Sequence, residues 1–331
     1  MAAPVAVSGA TGFIGAAVVR GLLAQGREVR ALIEPGASQA SLDELGVVDR
    51  VVVDVVDGAA MARALEGCES FFHLAAVYKI WAKDPEIIHR VNIEGTTASL
   101  LAAQRAGVKR VVYTSSIAAV GLREKGELSD ETVPFNLWPI ASPYVATKHL
   151  SERIALQFAA SGLPLVVVNP SMPFGPGDRA PTPTGGILLG LLRGEIPGYT
   201  VGGFSIIDVD DCAAGHLLAE ERGRVGERYL LTNHNVTVRS FLEQAAAIAG
   251  VRAPALPIPR LAAQAAGLGM ELWADHVSGR EPQGTLKAVR YAQRLAYFDN
   301  TKARTELGLP TRPLAETIAR AVSFFRSAKM I

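Results

Sequence analysis

A tyrosine and a lysine stand four residues apart, at Tyr144 and Lys148, in a stretch that predicts a helix. Side chains four apart lie on one face of a helix, so the lysine ammonium would sit beside the tyrosine phenol. That charge would lower the pKa of the phenol from its usual value of about 10 and make it an acid or base near neutral pH. An exposed surface pair shows the same spacing, so the chemistry depends on partners elsewhere.

Two serines, Ser115 and Ser116, follow the apolar segment Arg110–Tyr113, which predicts a strand. Enzymes with parallel sheets bind their ligands at the carboxyl ends of the strands. A hydroxyl at this place could hold a substrate carbonyl while the phenol protonates it. Turn formation or helix capping would also account for serines here.

Three glycines follow the apolar segment Val5–Ser8 at intervals of three, and a helix-forming run comes next. Gly9 would permit a tight turn, Gly12 would let the backbone approach phosphates, and Gly15 would let helix and strand pack closely. The start of the helix offers free N–H groups and a positive dipole end to an anion. This pattern predicts a binding site for the pyrophosphate of a dinucleotide.

The elements that would position these groups alternate between strand and helix. Apolar segments predict strands at Val5–Ser8, Glu28–Ile33, Arg50–Val53, Ser70–Leu74, Arg110–Ser115 and Pro164–Asn169. Helical patterns cover Ile14–Gln25, Gly58–Leu65, Glu86–Ala106 and Tyr144–Ser161. Continuously apolar strands that alternate with helices predict an α/β fold, with a Rossmann-type doubly wound parallel sheet.

The pattern changes after Asn169. Residues 170–183 are rich in proline and glycine and predict a long loop. Further helices are predicted at Val209–Glu220, Thr237–Gly250, Thr301–Leu307 and Leu314–Phe325. We therefore assign residues 1–170 to a dinucleotide-binding domain, to which 206–238 returns. Residues 171–205 and 239–331 would form most of a smaller C-terminal substrate-binding lobe.

The composition limits the kinds of partner that the protein can bind and the cellular compartment in which it is expected. The chain has 331 residues, of which 49% are hydrophobic, and a net charge of +1 without a basic run, which argues against nucleic acid. The two cysteines lack metal-type spacing, and no apolar run reaches about 18 residues, so neither a metal nor an integral membrane segment is predicted. Without a visible secretory signal, we expect a cytoplasmic protein. Peripheral membrane contact through the Ala/Leu-rich segment 259–274 stays open.

Taken together, the motifs resemble those of the extended short-chain dehydrogenases/reductases over essentially the whole chain. Besides the glycines, serines and Tyr144/Lys148, the resemblance rests on His73–Ala76, Asn92, Asn169-Pro170, Gly175–Asp178, Val209–Asp211 and Lys302–Gly308. Within that superfamily the chain is most similar to dihydroflavonol-4-reductase-like proteins and hopanoid-associated sugar epimerases. The segment Ala75–Trp81 is especially similar to the latter group.

The resemblance implies roles for individual residues. Tyr144 would be the general acid/base, Lys148 would bind the nicotinamide ribose and lower the pKa of Tyr144, and Ser116 would polarise the substrate carbonyl. Ser115 is the alternative to Ser116, and Asn92 would support the site. Helices 86–106 and 144–161 would pair in a homodimer. The implied cofactor-binding residues are Gly9, Thr11, Gly12, Phe13, Ile14, Gly15, Glu34, Asp54, Val55, Leu74, Ala75, Ala76, Tyr144, Lys148, Pro170 and Met172.

The residue after the second strand bears on the choice of nicotinamide cofactor. NADP-preferring relatives place an arginine there, whereas this chain has Glu34. A carboxylate can hydrogen-bond both ribose hydroxyls and would repel a 2′-phosphate, so we expect NAD(H) to be preferred over NADP(H). The alternative is that Glu34 points into solvent and Arg30 meets the cofactor.

The substrate side of the site differs from that of nucleotide-sugar enzymes in the superfamily. They usually carry an Arg-Asp pair shortly before the Val-Asp-Asp motif, and here Phe204 and Ser205 hold those positions, while Asp208 replaces a usual histidine. A buried diphosphate needs cations or N–H donors, which phenylalanine lacks. Apolar and aromatic pocket candidates are Tyr78, Ile80, Trp81, Met172, Phe174 and Phe204.

Three functions follow from these observations. The first is reduction of a ketone, or oxidation of a secondary alcohol, on a hydrophobic or aromatic small molecule with help from Ser116, Tyr144 and Lys148. The second is a nucleotide-sugar epimerase or dehydratase with tightly bound NAD. The third is a redox-inactive, dinucleotide-binding regulator, which would have no need of the tyrosine, lysine and serine together.

Overall fold

The computed structural model describes residues 3–47, 49–79 and 81–331. Strands β1 to β13 within these ranges are Val5–Ser8, Val29–Ile33, Asp49–Val52, Ser70–His73, Arg110–Thr114, Leu165–Pro170, Met172–Phe174, Gly198–Tyr199, Gly203–Asp208, Arg228–Leu231, His234–Thr237, Leu256–Pro257 and Leu295–Ala296. Helices α1 to α12 are Phe13–Ala24, Ala40–Glu44, Gly58–Leu65, Glu86–His89, Thr96–Ala106, Pro143–Ala160, Pro183–Leu192, Val209–Arg222, Val238–Ala249, Arg260–Trp273, Leu286–Ala292 and Leu314–Ser327.

Seven of the strands form one parallel sheet in the order β10-β6-β5-β4-β1-β2-β3. Helices α1 and α8 cover one face, where Val18 and Leu217 pack in the core with Val7. Helices α3, α5 and α6 cover the other face, where Leu100 packs in a core with Phe71. Helices on both faces of a parallel sheet confirm the predicted Rossmann-type α/β fold.

A second, four-stranded sheet lies beyond the carboxyl end of β6. Strand β9 is at its centre and pairs with β7, β11 and β13. Helices α7, α9 and α12 contribute to the core of this lobe around Phe174, Phe241 and Phe325. Within the described ranges, no helix is both long enough and apolar enough to span a bilayer.

Two stretches differ from the sequence-based expectation. The predicted loop 170–183 contains strand β7, which pairs with β9 through Met172–Phe174. Of segment 206–238, only Arg228–Leu231 joins the main sheet, whereas Gly203–Asp208 and His234–Thr237 pair in the second sheet. Both outcomes depend on pairing between distant segments, which local apolar patterns do not encode.

Candidate active site

One cavity of about 1040 Å³ lies between the carboxyl edge of the main sheet and the second lobe. It brings together every residue proposed from the sequence to bind the cofactor. Those lining residues are Gly9, Thr11, Gly12, Phe13, Ile14, Gly15, Glu34, Asp54, Val55, Leu74, Ala75, Ala76, Tyr144, Lys148, Pro170 and Met172. Ser115 and Ser116 line the same cavity, so one pocket can hold a dinucleotide and a substrate side by side.

The glycine turn has the shape that a pyrophosphate requires. Gly9 adopts a left-handed conformation with φ +68°, and its carbonyl accepts a hydrogen bond from Gly12 N at 3.0 Å. A Cβ on Gly15 would lie 2.0 Å from that carbonyl oxygen, so only glycine fits. No described side chain caps α1 at Gly12, which leaves the N–H groups of its first turn to an anion. These residues fit the pyrophosphate of a dinucleotide.

Helix α6 positions Tyr144 and Lys148 on the wall of the cavity. The Ser142 hydroxyl caps the helix by accepting a hydrogen bond from Val145 N at 3.4 Å, and Pro143 occupies the first helical position. Tyr144 therefore lies in the first turn and Lys148 one turn later on the same side. Ser116, which caps a short 3₁₀ turn after β5 and accepts from Ala118 N at 3.1 Å, lines the same cavity beside Tyr144.

Burial controls the ionisation of both side chains. It raises the pKa of Tyr144, a shift that the neighbouring Ser116 hydroxyl opposes by hydrogen bonding. It also lowers the pKa of Lys148 to about 8, against an opposing effect of the Glu152 carboxylate. The expectation that Lys148 brings the phenol pKa below its usual value is wrong for the protein on its own. Desolvation disfavours the phenolate, and Lys148 Nζ instead donates to Thr114 O at 3.0 Å.

A buried polar network supports Ser116 and Lys148, and two of its members, Glu152 and Arg228, were not identified from the sequence. The Asn169 amide donates to Ser116 O at 2.9 Å and to the Glu152 carboxylate at 2.5 Å. The other Glu152 oxygen accepts from Arg228 at 2.7 Å. Glu152 follows Lys148 by four residues on α6, so the spacing rule that paired Tyr144 with Lys148 could have found it.

Asn92 holds the loop that follows β4. Its side-chain amide accepts from Val77 N at 2.8 Å and donates to Val77 O at 2.9 Å and to the Thr147 hydroxyl at 3.1 Å. Asn92 thus connects the loop with α6, one residue before Lys148. Such a bridge fixes the cavity wall between the two elements.

At the far end of the cavity, Glu34 lies just past β2, together with Asp54 and Val55. Arg30 points elsewhere, because its guanidinium donates to the Asp49 carboxylate at 2.9 Å and to the Ala64 carbonyl at 3.1 Å. Arg30 is absent from the cavity lining. The arrangement therefore offers a carboxylate rather than this arginine to a ligand.

The aromatic candidates of the substrate pocket divide into two groups. Tyr78 and Phe204 line the cavity. Phe174 does not, because β7 turns it into the core of the second lobe, where it is 2% exposed and its ring lies tilted against that of Phe241, with 5.0 Å between the ring centroids. Trp81 is also outside the lining and donates from Nε1 to Asp275 at 2.7 Å. Ile80 lies outside the described residues.

Tyr291 and Ser171, which were not singled out from the sequence, also line the cavity. Tyr291 of α11 lines the cavity, and burial together with the Tyr144 phenol raises its pKa. The hydroxyls of Ser115 and Ser171 are buried in the lining without a hydrogen-bond partner among the described residues. Unpaired buried hydroxyls are costly, so both are suited to a polar ligand. No cluster of three or more metal-ligating side chains occurs in the described part of the chain.

Comparison with known sequences relates the chain to enzymes that use nicotinamide cofactors. A model of the NAD-dependent epimerase/dehydratase family matches residues 5–232. The chain is 40% identical to a putative dihydroflavonol 4-reductase of Synechocystis sp., over 97% of this chain and 94% of that protein. It is 36% identical to sterol demethylase protein B of Methylococcus capsulatus, over 98% and 99%.

A third relative is named for a chemical reaction. The 4-hydroxy-2-methyl-3-oxo-4-farnesyl-3,4-dihydroquinoline-1-oxide ketoreductase of Stigmatella aurantiaca is 33% identical, over 92% of this chain and 91% of that protein. Among solved structures, gox2253 superposes with a TM-score of 0.88 at 37% identity, over 98% of both chains. PA4631, described as a nucleoside-diphosphate-sugar epimerase from Pseudomonas aeruginosa, has a TM-score of 0.80 at 29% identity, over 99% and 98%.

Proposed function

Because the chain belongs to the NAD-dependent epimerase/dehydratase family and is an NAD(P)-dependent oxidoreductase of the extended short-chain dehydrogenase/reductase type, we propose that it reduces a ketone, or oxidises the matching secondary alcohol. The substrate we propose is a hydrophobic or aromatic small molecule. The relatives named for a dihydroflavonol and for a farnesylated quinoline support this substrate class.

The environment of Phe204 carries the substrate assignment. Its ring lines the cavity and packs edge-on against Phe241 at 5.4 Å, at the position where nucleotide-sugar enzymes resembling this chain hold an arginine. The neighbouring Ser205 is buried and donates to Ala296 O at 3.2 Å. Asp208 is buried in an ion pair with Arg320 at 2.9 Å. An apolar wall at this place favours an apolar substrate over a diphosphate.

The proposed mechanism uses the protonation states that burial imposes. The raised pKa of Tyr144 keeps the phenol neutral, which is the form required to donate a proton to a ketone oxygen. The Ser116 hydroxyl would hold that oxygen, and the Lys148 ammonium would stabilise the phenolate left after proton transfer. A nicotinamide dinucleotide, when bound along the glycine turn, supplies or accepts the hydride. The product is the secondary alcohol, with hydride on carbon and the tyrosine proton on oxygen.

We also propose a preference for NAD(H). Glu34 lines the cavity, whereas Arg30 lies outside the lining and donates a hydrogen bond to the Asp49 carboxylate. A carboxylate at this place would accept hydrogen bonds from ribose hydroxyls and repel a 2′-phosphate.

We also propose that the protein forms a homodimer and works in a reducing compartment. Leu101 on α5 and Leu150 on α6 are 37% and 40% exposed, which supports pairing of these helices with those of a second copy. Cys68 and Cys212 are buried free thiols, as expected of a cytoplasmic protein.

A second candidate is a nucleotide-sugar epimerase with tightly bound NAD. Lys287 favours it, because this cation lines the cavity and forms no ion pair with a carboxylate among the described residues. The structural likeness to a protein described as a nucleoside-diphosphate-sugar epimerase points the same way.

A substrate panel separates the two candidates. The purified protein is incubated with NADH or NADPH and with lipophilic ketones or UDP-glucose, and loss of reduced-cofactor absorbance is recorded. We expect consumption of NADH with at least one hydrophobic ketone. Protein that is isolated with NAD firmly bound, ignores the ketones and interconverts UDP-sugars would refute the proposal in favour of the epimerase.

A further inference from the structure

Helix α10 and the turn after it expose an unusual number of large apolar side chains. Leu261, Trp273 and Val277 are 78%, 62% and 62% exposed, and Leu268 and Leu272 lie between them on the same side. We call these five residues the α10 face. Over the helix itself, the other exposed residues after Arg260 are alanine and glycine, so the outward side from Leu261 to Trp273 carries no charge.

The polar residues of α10 turn inward instead. The Gln264 side chain donates to the Gln293 side chain at 2.8 Å, and the Glu271 carboxylate accepts from Leu286 N at 2.9 Å at the start of α11. A surface helix of a water-soluble domain normally has the opposite arrangement, with its apolar stripe towards the core. These hydrogen bonds hold the polar side of α10 towards α11, so the apolar α10 face is kept exposed to solvent.

The segment that contains the α10 face has an excess of positive charge. Segment 252–294 contains six basic and three acidic side chains, whereas the whole chain has a net charge of +1. None of the six basic side chains forms an ion pair with a described carboxylate, and all are exposed. They are Arg252, Arg260, Arg280, Arg290 and Arg294, together with Lys287, which also lines the cavity. An apolar helical face with unpaired cations around it has the composition of an interfacial membrane-binding helix.

The α10 face lies next to the substrate end of the cavity. Ala263, on the inward side of α10, and Lys287 and Val289, on the adjacent helix α11, line the cavity wall. The hairpin of α10 and α11 therefore covers this end of the cavity on its inner side and carries the α10 face on its outer side. Trp81 connects the turn after α10 to the main domain through its hydrogen bond with Asp275.

We propose that the α10 face seats the protein on an anionic lipid surface, as a peripheral contact without insertion across the bilayer. Anionic headgroups complement the unpaired cations, and the acyl boundary accepts the leucine and tryptophan side chains. A second copy of the chain fits less well, because a two-fold interface would bring the same cations together. The proposal goes beyond the proposed function and does not depend on it, although the location would bring a lipophilic substrate to the cavity.

Vesicle sedimentation of the full chain tests the proposal. Vesicles of phosphatidylcholine alone are compared with vesicles that also contain phosphatidylglycerol, at low and high salt. We expect binding to the anionic vesicles that high salt weakens. The double variant Leu268→Glu/Leu272→Glu should lose at least about tenfold in vesicle affinity, because it places charge in the acyl boundary.

A matched control separates the α10 face from a general effect of added charge. Val52→Glu/Val225→Glu also replaces two exposed apolar residues, at 59% and 51% exposure, on other parts of the surface, and should bind vesicles like the wild type. NADH binding by each variant reports that it is folded. Three results would overturn the proposal: no binding to anionic vesicles, equal binding by both double variants, or a dimer that only Leu268→Glu/Leu272→Glu dissociates.

Discussion

Replacement of Gly15 by alanine tests the dinucleotide turn. The new Cβ would lie 2.0 Å from Gly9 O and 2.8 Å from Gly9 C, whereas ordinary contact begins at 3.4 Å. Backbone atoms of the turn must therefore move by about 1 Å or more, which overpacking data put at about 1–3 kcal/mol of unfolding free energy. NADH affinity should fall because the turn that faces the pyrophosphate is displaced, and turnover should fall by about a hundredfold, the cost that a misplacement of about 1 Å can have in catalysis.

Two further glycines calibrate this prediction. A Cβ on Gly12 would lie 3.2 Å from Gly9 O, so Gly12→Ala should cost less than about 1 kcal/mol of stability. Gly186, exposed in α7, has no atom within 4 Å of such a Cβ, and Gly186→Ala should stabilise the protein by about 0.5–1 kcal/mol. Urea unfolding and NADH fluorescence titration measure the two effects. Wild-type stability and NADH affinity in Gly15→Ala would refute the reasoning.

Three other predictions concern charge. Because burial lowers the pKa of Lys148 to about 8, turnover should fall above about pH 8 as the ammonium is lost. Glu152→Gln should move this limit to lower pH, because the Glu152 carboxylate raises the pKa of Lys148. An unchanged pH profile would contradict the role of Glu152. Glu34→Ala should raise the ratio of kcat/KM for NADPH to that for NADH, and an unaltered ratio would leave Glu34 without the proposed role. Burial lowers the pKa of His73 to about 3 and of His216 to about 4 from 6.5. The unfolded chain therefore binds more protons below pH 6.5, and urea unfolding at pH 5 should show a loss of about 2 kcal/mol for each histidine relative to pH 7, whereas equal stabilities would contradict this.

The sequence was most informative where structure depends on neighbouring residues. The glycine turn, the start of α6 and the parallel strands of the first half all follow from local spacing and apolar continuity. The residues proposed to bind the cofactor line one cavity because they lie at the carboxyl ends of those strands, where a parallel sheet brings them to one edge.

Elements that form through pairing between distant segments of the chain could not be predicted from local sequence patterns. Strand β7 forms because Met172–Phe174 pairs with β9, and that pairing turns Phe174 into the core. Tyr291 reaches the cavity from α11, which no local pattern connects with Tyr144. The direction of the Tyr144 pKa was also wrong, because a spacing of four residues reports a nearby charge and not the desolvation that outweighs it.

The rate of ketone reduction by the Tyr144→Phe variant tests most directly the central claim that Tyr144 is the proton donor. The variant is compared with the wild type and with Tyr297→Phe, which removes a phenol outside the cavity lining, using NADH and the ketone that reacts best. We predict that Tyr144→Phe binds NADH normally and loses at least about a hundredfold in the rate of ketone reduction, while Tyr297→Phe retains the wild-type rate. A Tyr144→Phe protein that reduces the ketone as fast as the wild type would contradict the assignment of Tyr144 as the proton donor.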